Sequence, residues 1–171
     1  MKIIIVRGNI LDSMSDAIVL AANSRLAPSS GECGAIFNAA GYDKLKNALK
    51  KYSYCKPGEA VITDGFDLKN KYIIHAVAPI FKNDKDDDLL LSKCYINSLN
   101  LAVLNNCITI SFPALSTGLY NYPYDLAASI AIEAINEFKK LHDNDLAIVY
   151  IYCFDDEIYK AYKDALYKYN N

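Results

Sequence analysis

The sequence predicts an α/β domain with helices on both faces of a central sheet. Three observations carry that reading. Short runs rich in Ile and Val recur along the 171 residues. Longer stretches with one apolar face separate them. The short runs are also nearly continuous in apolar character rather than alternating, as expected of strands covered on both faces. The length suits one compact domain, so residues 1–171 are read as a single unit.

The strand candidates are about six, in order. Lys2–Val6 and Asp16–Ala21 come first. Ala60–Thr63 and Tyr72–Val77 follow, separated by an Asp64-Gly65 turn. Ile108–Phe112 and Leu146–Phe154 complete the set. Between them, Leu91, Cys94, Tyr95, Leu99, Ala102 and Val103 share one face at the helical period, as do Leu126, Ile130, Ala134, Phe138 and Leu141. A C-terminal helix begins at Asp155, an N-cap candidate, with Asp156 and Glu157 in the first turn where the helix dipole favours acids. Its apolar stripe is Ile158, Ala161, Tyr162, Ala165 and Tyr169. The stretch Lys82–Asp88 reads as a solvated loop, because charges so dense repel one another.

Composition narrows the function classes. Apolar residues make up 53% and charged residues 22%, a globular balance. Eighteen Lys and Arg against twenty Asp and Glu give a net charge of -2. That argues against a general nucleic-acid grip and against a polybasic membrane anchor. The fourteen tyrosines, with only Arg7 and Arg25 as arginines, are read as core and rim residues rather than a base-stacking surface. No apolar run reaches the ~20 residues of a membrane span, and Ile3–Val6 is too short for a secretory signal. The five cysteines form no CxxC pair, so a cytoplasmic setting is expected and disulfide or zinc scaffolds are not. His142 has no motif partner and is read as a solvated residue at a helix end.

In α/β sheets, ligands bind outside the carboxyl ends of strands. Two loops there stand out: Ala22–Ile36, following the second strand candidate, and Pro113–Pro123, following the fifth. Both mix small residues, glycines and hydroxyls just before a helix, where exposed N–H groups and the positive helix end suit phosphate oxygens. Two such loops facing each other suit a diphosphate. Walker and GxGxxG motifs are absent.

The ordered landmarks Arg7-Gly-Asn-Ile10, Asp16–Asn23, Gly31-Glu-Cys-Gly-Ala-Ile36, Ala39-Ala-Gly41, Gly58–Thr63, Lys71–Pro79 and Phe112–Tyr120 resemble the macrodomain family over nearly the whole chain. The resemblance implies a three-layer α/β/α fold with a mixed, mostly parallel sheet of about six strands. It also implies a cleft for ADP-ribose, and hydrolysis of ADP-ribose esters on acidic side chains or in O-acetyl-ADP-ribose. The alternative is a reader that binds ADP-ribose, or a related nucleotide, without turnover. The partner is then ADP-ribose or an ADP-ribosylated protein. No cofactor or metal is expected.

Residue by residue, the resemblance assigns further roles. Asn9 stands where the family's aspartate accepts from the adenine amino group, and an amide oxygen can still accept without charge assistance. Ile10 would offer its backbone beside it. Phe154 matches the aromatic that stacks on adenine; its alternative is a core Phe at a strand end. Ser116, Thr117, Gly118, Leu119 and Tyr120 match the loop around the diphosphate and distal ribose. On the other side, Ala22, Gly31, Gly34 and Ala35 belong to the first binding loop.

Asn23 matches the asparagine that contacts the distal ribose and is needed for turnover; its alternative is an Asx turn. Leu20 replaces the first asparagine of that motif. Cys33 occupies the place of the aspartate that assists the attacking water in one hydrolase branch, and Glu32 precedes it where a neutral residue is usual. Three readings of Cys33 stand open: tolerated while the substrate's phosphate activates the water, a mark of lost turnover, or a nucleophile needing a nearby base. The nearest histidine in a motif, His75, matches a buried structural residue.

Overall fold

The computed structural model describes residues 1–171. Six strands form one sheet: β1 (Lys2–Arg7), β2 (Ala17–Ala21), β3 (Ala60–Asp64), β4 (Tyr72–Ala76), β5 (Thr109–Pro113) and β6 (Ile148–Cys153). Their spatial order is β1-β6-β5-β2-β4-β3. Every neighbouring pair is parallel except β3 with β4. The expected mixed, mostly parallel sheet is present. Five helices flank it: α1 (Gly31–Ala40), α2 (Tyr42–Leu49), α3 (Asp87–Leu104), α4 (Tyr124–His142) and α5 (Asp156–Asn170). None is long and apolar enough to cross a membrane.

The pleat divides the core in two. Ala17 and Val19 of β2 enter a cluster with α3, α4 and α5, whereas Ile18 and Leu20 enter another with α1 and α2. Successive side chains of a strand face opposite ways, so an unbroken apolar run feeds both layers. This is the three-layer arrangement.

Coverage of both faces holds for β2, β4 and β5 but fails at β6. There Val149, Ile151 and Cys153 are buried while Tyr150 and Tyr152 are half-exposed. The reason is the short reach of the second layer: α1 packs on β2 and α2 on β3. Neither helix covers the β6 and β1 side of that face.

Other departures have electrostatic causes. Asp16 lies just before β2, where its carboxylate accepts from the N–H groups of Ile108 (2.8 Å) and Thr109 (3.1 Å). Lys82–Asp88 is not wholly solvated. Asp87 is buried at the start of α3, because the N–H groups of Lys82 (2.8 Å) and Asp84 (3.0 Å) satisfy its carboxylate in place of water. His142 stacks on Phe138 at 4.2 Å and bonds Asp145 at 2.8 Å, so it has partners that no motif reveals.

Candidate ligand-binding cleft

A cleft of about 780 Å³ opens at the carboxyl ends of β2, β5 and β6. Its floor holds Ala21 and Ala22 from the end of β2, Pro113 and Ala114 from β5, and Tyr152 from the open half of the sheet. The loop before α1 forms one wall and Ser116–Tyr120 the other. Asn9, Phe154, Asp155 and Ile158 close one end.

The Ser116–Tyr120 wall is firmly pinned. Ser116 takes a φ of +65°, unusual for a residue with a Cβ. Its hydroxyl donates to the Pro79 carbonyl at 2.8 Å, and the Thr117 hydroxyl to the Ala114 carbonyl at 2.7 Å. The Tyr120 carbonyl accepts from the Phe81 N–H at 3.0 Å, and the Ser116 carbonyl from the Tyr122 N–H at 2.9 Å. Held this way, the N–H groups of Gly118, Leu119 and Tyr120 are left with no acceptor in the protein. Gly118 has open space on its side-chain side, with no atom within 4 Å of a Cβ built there.

The opposite wall supplies a second set of donors. No side chain caps α1 at Ser30, and the N–H groups of Gly31, Glu32 and Cys33 find no protein acceptor. An uncapped helix start concentrates unsatisfied donors and the positive dipole end, the chemistry that holds phosphate. Gly31 adopts a φ of +68°, which glycine reaches freely. Ala35 also lines the cleft; Gly34 does not. A Cβ at Gly34 would sit 2.5 Å from the Ser29 carbonyl oxygen, so this glycine lets α1 pack against its own entry loop.

Asn23 does two things at once. It lines the cleft, but its amide is committed to its own loop. The oxygen accepts from the N–H groups of Arg25 and Ala27 (3.1 Å each), and the nitrogen donates to the Ala27 carbonyl at 2.9 Å. The Asx-turn reading is therefore realised at a residue that also faces the cleft.

Cys33 lines the cleft but is packed into the α1–α2 core with Ile36 and Phe37. It has no base. His75 is fully buried, its Nε2 bonded to the Thr63 hydroxyl at 3.0 Å, and burial pushes its pKa down to about 3. The nucleophile reading of Cys33 thus loses its partner. Glu32 is the carboxylate that this loop does place in the cleft, and burial raises its pKa. No group of three or more His, Cys, Asp or Glu side chains is placed to hold a metal ion.

The closed end is built from the two ends of the chain. Parallel pairing sets Arg7 opposite Cys153, and the Gly8 N–H continues to the Cys153 carbonyl at 3.1 Å. Asn9 and Phe154 therefore leave neighbouring strands side by side. Phe154 is 73% exposed, which excludes the core reading and leaves an aromatic face free. Arg7 steadies it, bonding the Phe154 carbonyl and, at 2.8 Å, the Asp156 carboxylate. The Ile10 side chain is buried, but its N–H has no acceptor. Tyr152, Asp155 and Ile158, which no motif marks as site residues, also line this end. Asp155 does cap α5, accepting from the Ile158 N–H at 2.8 Å; only the β1–β6 register shows that this cap borders the cleft.

The model of the Macro domain family matches residues 19–131. A macro domain-containing protein of Caldanaerobacter subterraneus is 42% identical over 168 residues, covering 96% of this chain and 95% of the relative. The chain belongs to the macro domain family. Among further relatives of this macrodomain is a protein named O-acetyl-ADP-ribose deacetylase from Citrobacter rodentium, 40% identical over 169 residues and covering 96% of this chain and 95% of that one. Of the solved structures, a mutant of the Oceanobacillus iheyensis macrodomain with ADPR superimposes with a TM-score of 0.88 at 36% identity, covering 98% of this chain and 93% of that one.

Proposed function

We infer that this macrodomain, residues 1–171 acting as one unit, binds ADP-ribose in the cleft and hydrolyses its esters. The observation that carries the binding is the pair of facing donor sets, Gly31–Cys33 at the start of α1 and Gly118–Tyr120, both without acceptors in the protein. Two donor sets across one cleft suit a diphosphate. The exposed Phe154 suits the base, and Asn23 with Tyr120 the distal ribose. The names of the relatives support the same ligand and an ester substrate.

In the reaction, water adds to the ester carbonyl and the bond from the acyl carbon to the ribose oxygen breaks. ADP-ribose, a carboxylate and one proton result. The chain's part is to hold the diphosphate on N–H groups, to place the ribose through the loop that Asn23 organises, and to keep the water beside Gly31–Cys33. Incubation with mono-ADP-ribosylated protein or O-acetyl-ADP-ribose releases free ADP-ribose, and Asn23→Ala slows the release. No product over hours at high enzyme concentration rules hydrolysis out.

One observation favours a second reading, a reader without turnover. Where a branch of the family has a water-assisting aspartate, this chain has a thiol packed into the core. Titration calorimetry beside the release assay separates the two: heat without product identifies a reader.

A further inference from the structure

The base end of the cleft has an unusual polarity. Asn9 caps the short 3-10 turn Ile10–Asp12, its Oδ1 accepting from the Leu11 N–H at 3.0 Å. That bond fixes which way round the amide sits. Nδ2 then has no acceptor in the protein, and the residue is exposed at the cleft lining. The adjacent Ile10 N–H is likewise unpaired. A carboxylate here could cap the same turn with one oxygen and offer the other as an acceptor. The amide instead replaces that acceptor with a donor. Two neighbouring donors thus stand beside the exposed ring of Phe154.

Two donors ask for two acceptors. A purine with a keto group at C6, hypoxanthine or guanine, presents adjacent acceptors at O6 and N7. Adenine presents an amino donor in place of O6, which meets Nδ2 as donor against donor. Only the second lone pair of Oδ1, already engaged with Leu11, remains to receive it. Asp155 brings a carboxylate to the same end, but one of its oxygens is engaged in capping α5. We propose that Asn9 makes the base subsite accept 6-ketopurine nucleoside diphosphate riboses at least as well as ADP-ribose. This rests on the reading of the cleft as a nucleoside diphosphate ribose site.

The test is calorimetric titration of wild type, Asn9→Asp and Asp155→Asn with ADP-ribose, inosine diphosphate ribose and guanosine diphosphate ribose. Aspartate and asparagine are equivalent N-caps, so all three proteins keep their turns, and thermal melting checks that they do. In wild type, one of the two 6-keto ligands is expected to bind as tightly as ADP-ribose or more tightly. Asn9→Asp should shift the ratio toward ADP-ribose by about tenfold, the size of one mismatched polar contact to a base edge. A wild type that binds ADP-ribose more tightly than both 6-keto ligands overturns the proposal, and loss of that preference in Asp155→Asn would assign base reading to Asp155. An Asn9→Asp variant with unchanged ratios overturns it too. If none of the three ligands binds, the functional reading itself fails and the proposal falls with it.

Discussion

The two walls of the cleft reach the same end by different means. Ser116–Tyr120 is held by side-chain and backbone bonds to the segment after β4 and to its own ends, and it presents N–H groups and no charged side chain. The Asn23–Cys33 wall is held by the amide of one residue and by a glycine that fits under a carbonyl, and it brings a carboxylate and a thiol to the cleft. Backbone donors bind an anion whatever the side chains are, so the first wall suits binding. Side chains decide chemistry, so on the proposed hydrolase reading the second wall is where sequence changes would alter turnover.

The sharpest test of this division is Gly118→Glu. The site is open, so the fold is expected to stand while a carboxylate enters the diphosphate path. ADP-ribose affinity should fall at least ~100-fold in calorimetry, with a nearly unchanged melting temperature. Gly34→Ala probes the other wall in the opposite sense. Its Cβ would meet a backbone oxygen at 2.5 Å, so denaturant unfolding should show a loss of about 2 kcal/mol. If Gly34→Ala is instead neutral, the entry to α1 is loose and the two walls differ less than their bonding shows.

Phe154→Ala tests the end that joins the walls. With the ring exposed, stability should hardly change, while affinity drops roughly tenfold or more, as stacking on a base is worth ~1–3 kcal/mol. The smallest effect belongs to Glu32. Burial raises its pKa from the ordinary glutamate value, and its charged form opposes a bound diphosphate. Affinity should therefore rise a few-fold as pH falls through that raised pKa, and Glu32→Gln should bind more tightly at neutral pH and lose the dependence. The same sign applies to folding. Stability linked to Glu32 is present below its unfolded pKa and fades as pH rises through the folded one, so Glu32→Gln should melt no lower than wild type at neutral pH.

Much of this was legible in the sequence. Periodicity alone locates β2, β4 and β5 and the buried faces of α3 to α5, because a residue's partner layer follows from its place in the pleat or turn. The Asp155 cap is legible because it acts on its own helix. What stayed hidden depends on atoms distant along the chain or on side-chain choice. The use of Gly34 is set by the position of one carbonyl, and the burial of Asp87 by N–H groups that its loop folds back to supply. Tyr150 and Tyr152 look like core residues until α1 and α2 are seen to stop short of β6. The family resemblance brought Asn9, Asn23 and Phe154 to attention, but not which way the Asn9 amide faces or that the Asn23 amide is already spent.

The place of β6 also has a consequence in time. It lies between β1 and β5 in the sheet, so β1, the first of the six strands to be made, has no neighbour to pair with until β6, the last of them, has followed it. Asn9 and Phe154 can meet only after that closure, a long-range contact of the kind that forms slowly. Both walls of the cleft can assemble before the end formed by Asn9 and Phe154 exists, so that end is the last part of the cleft to take shape.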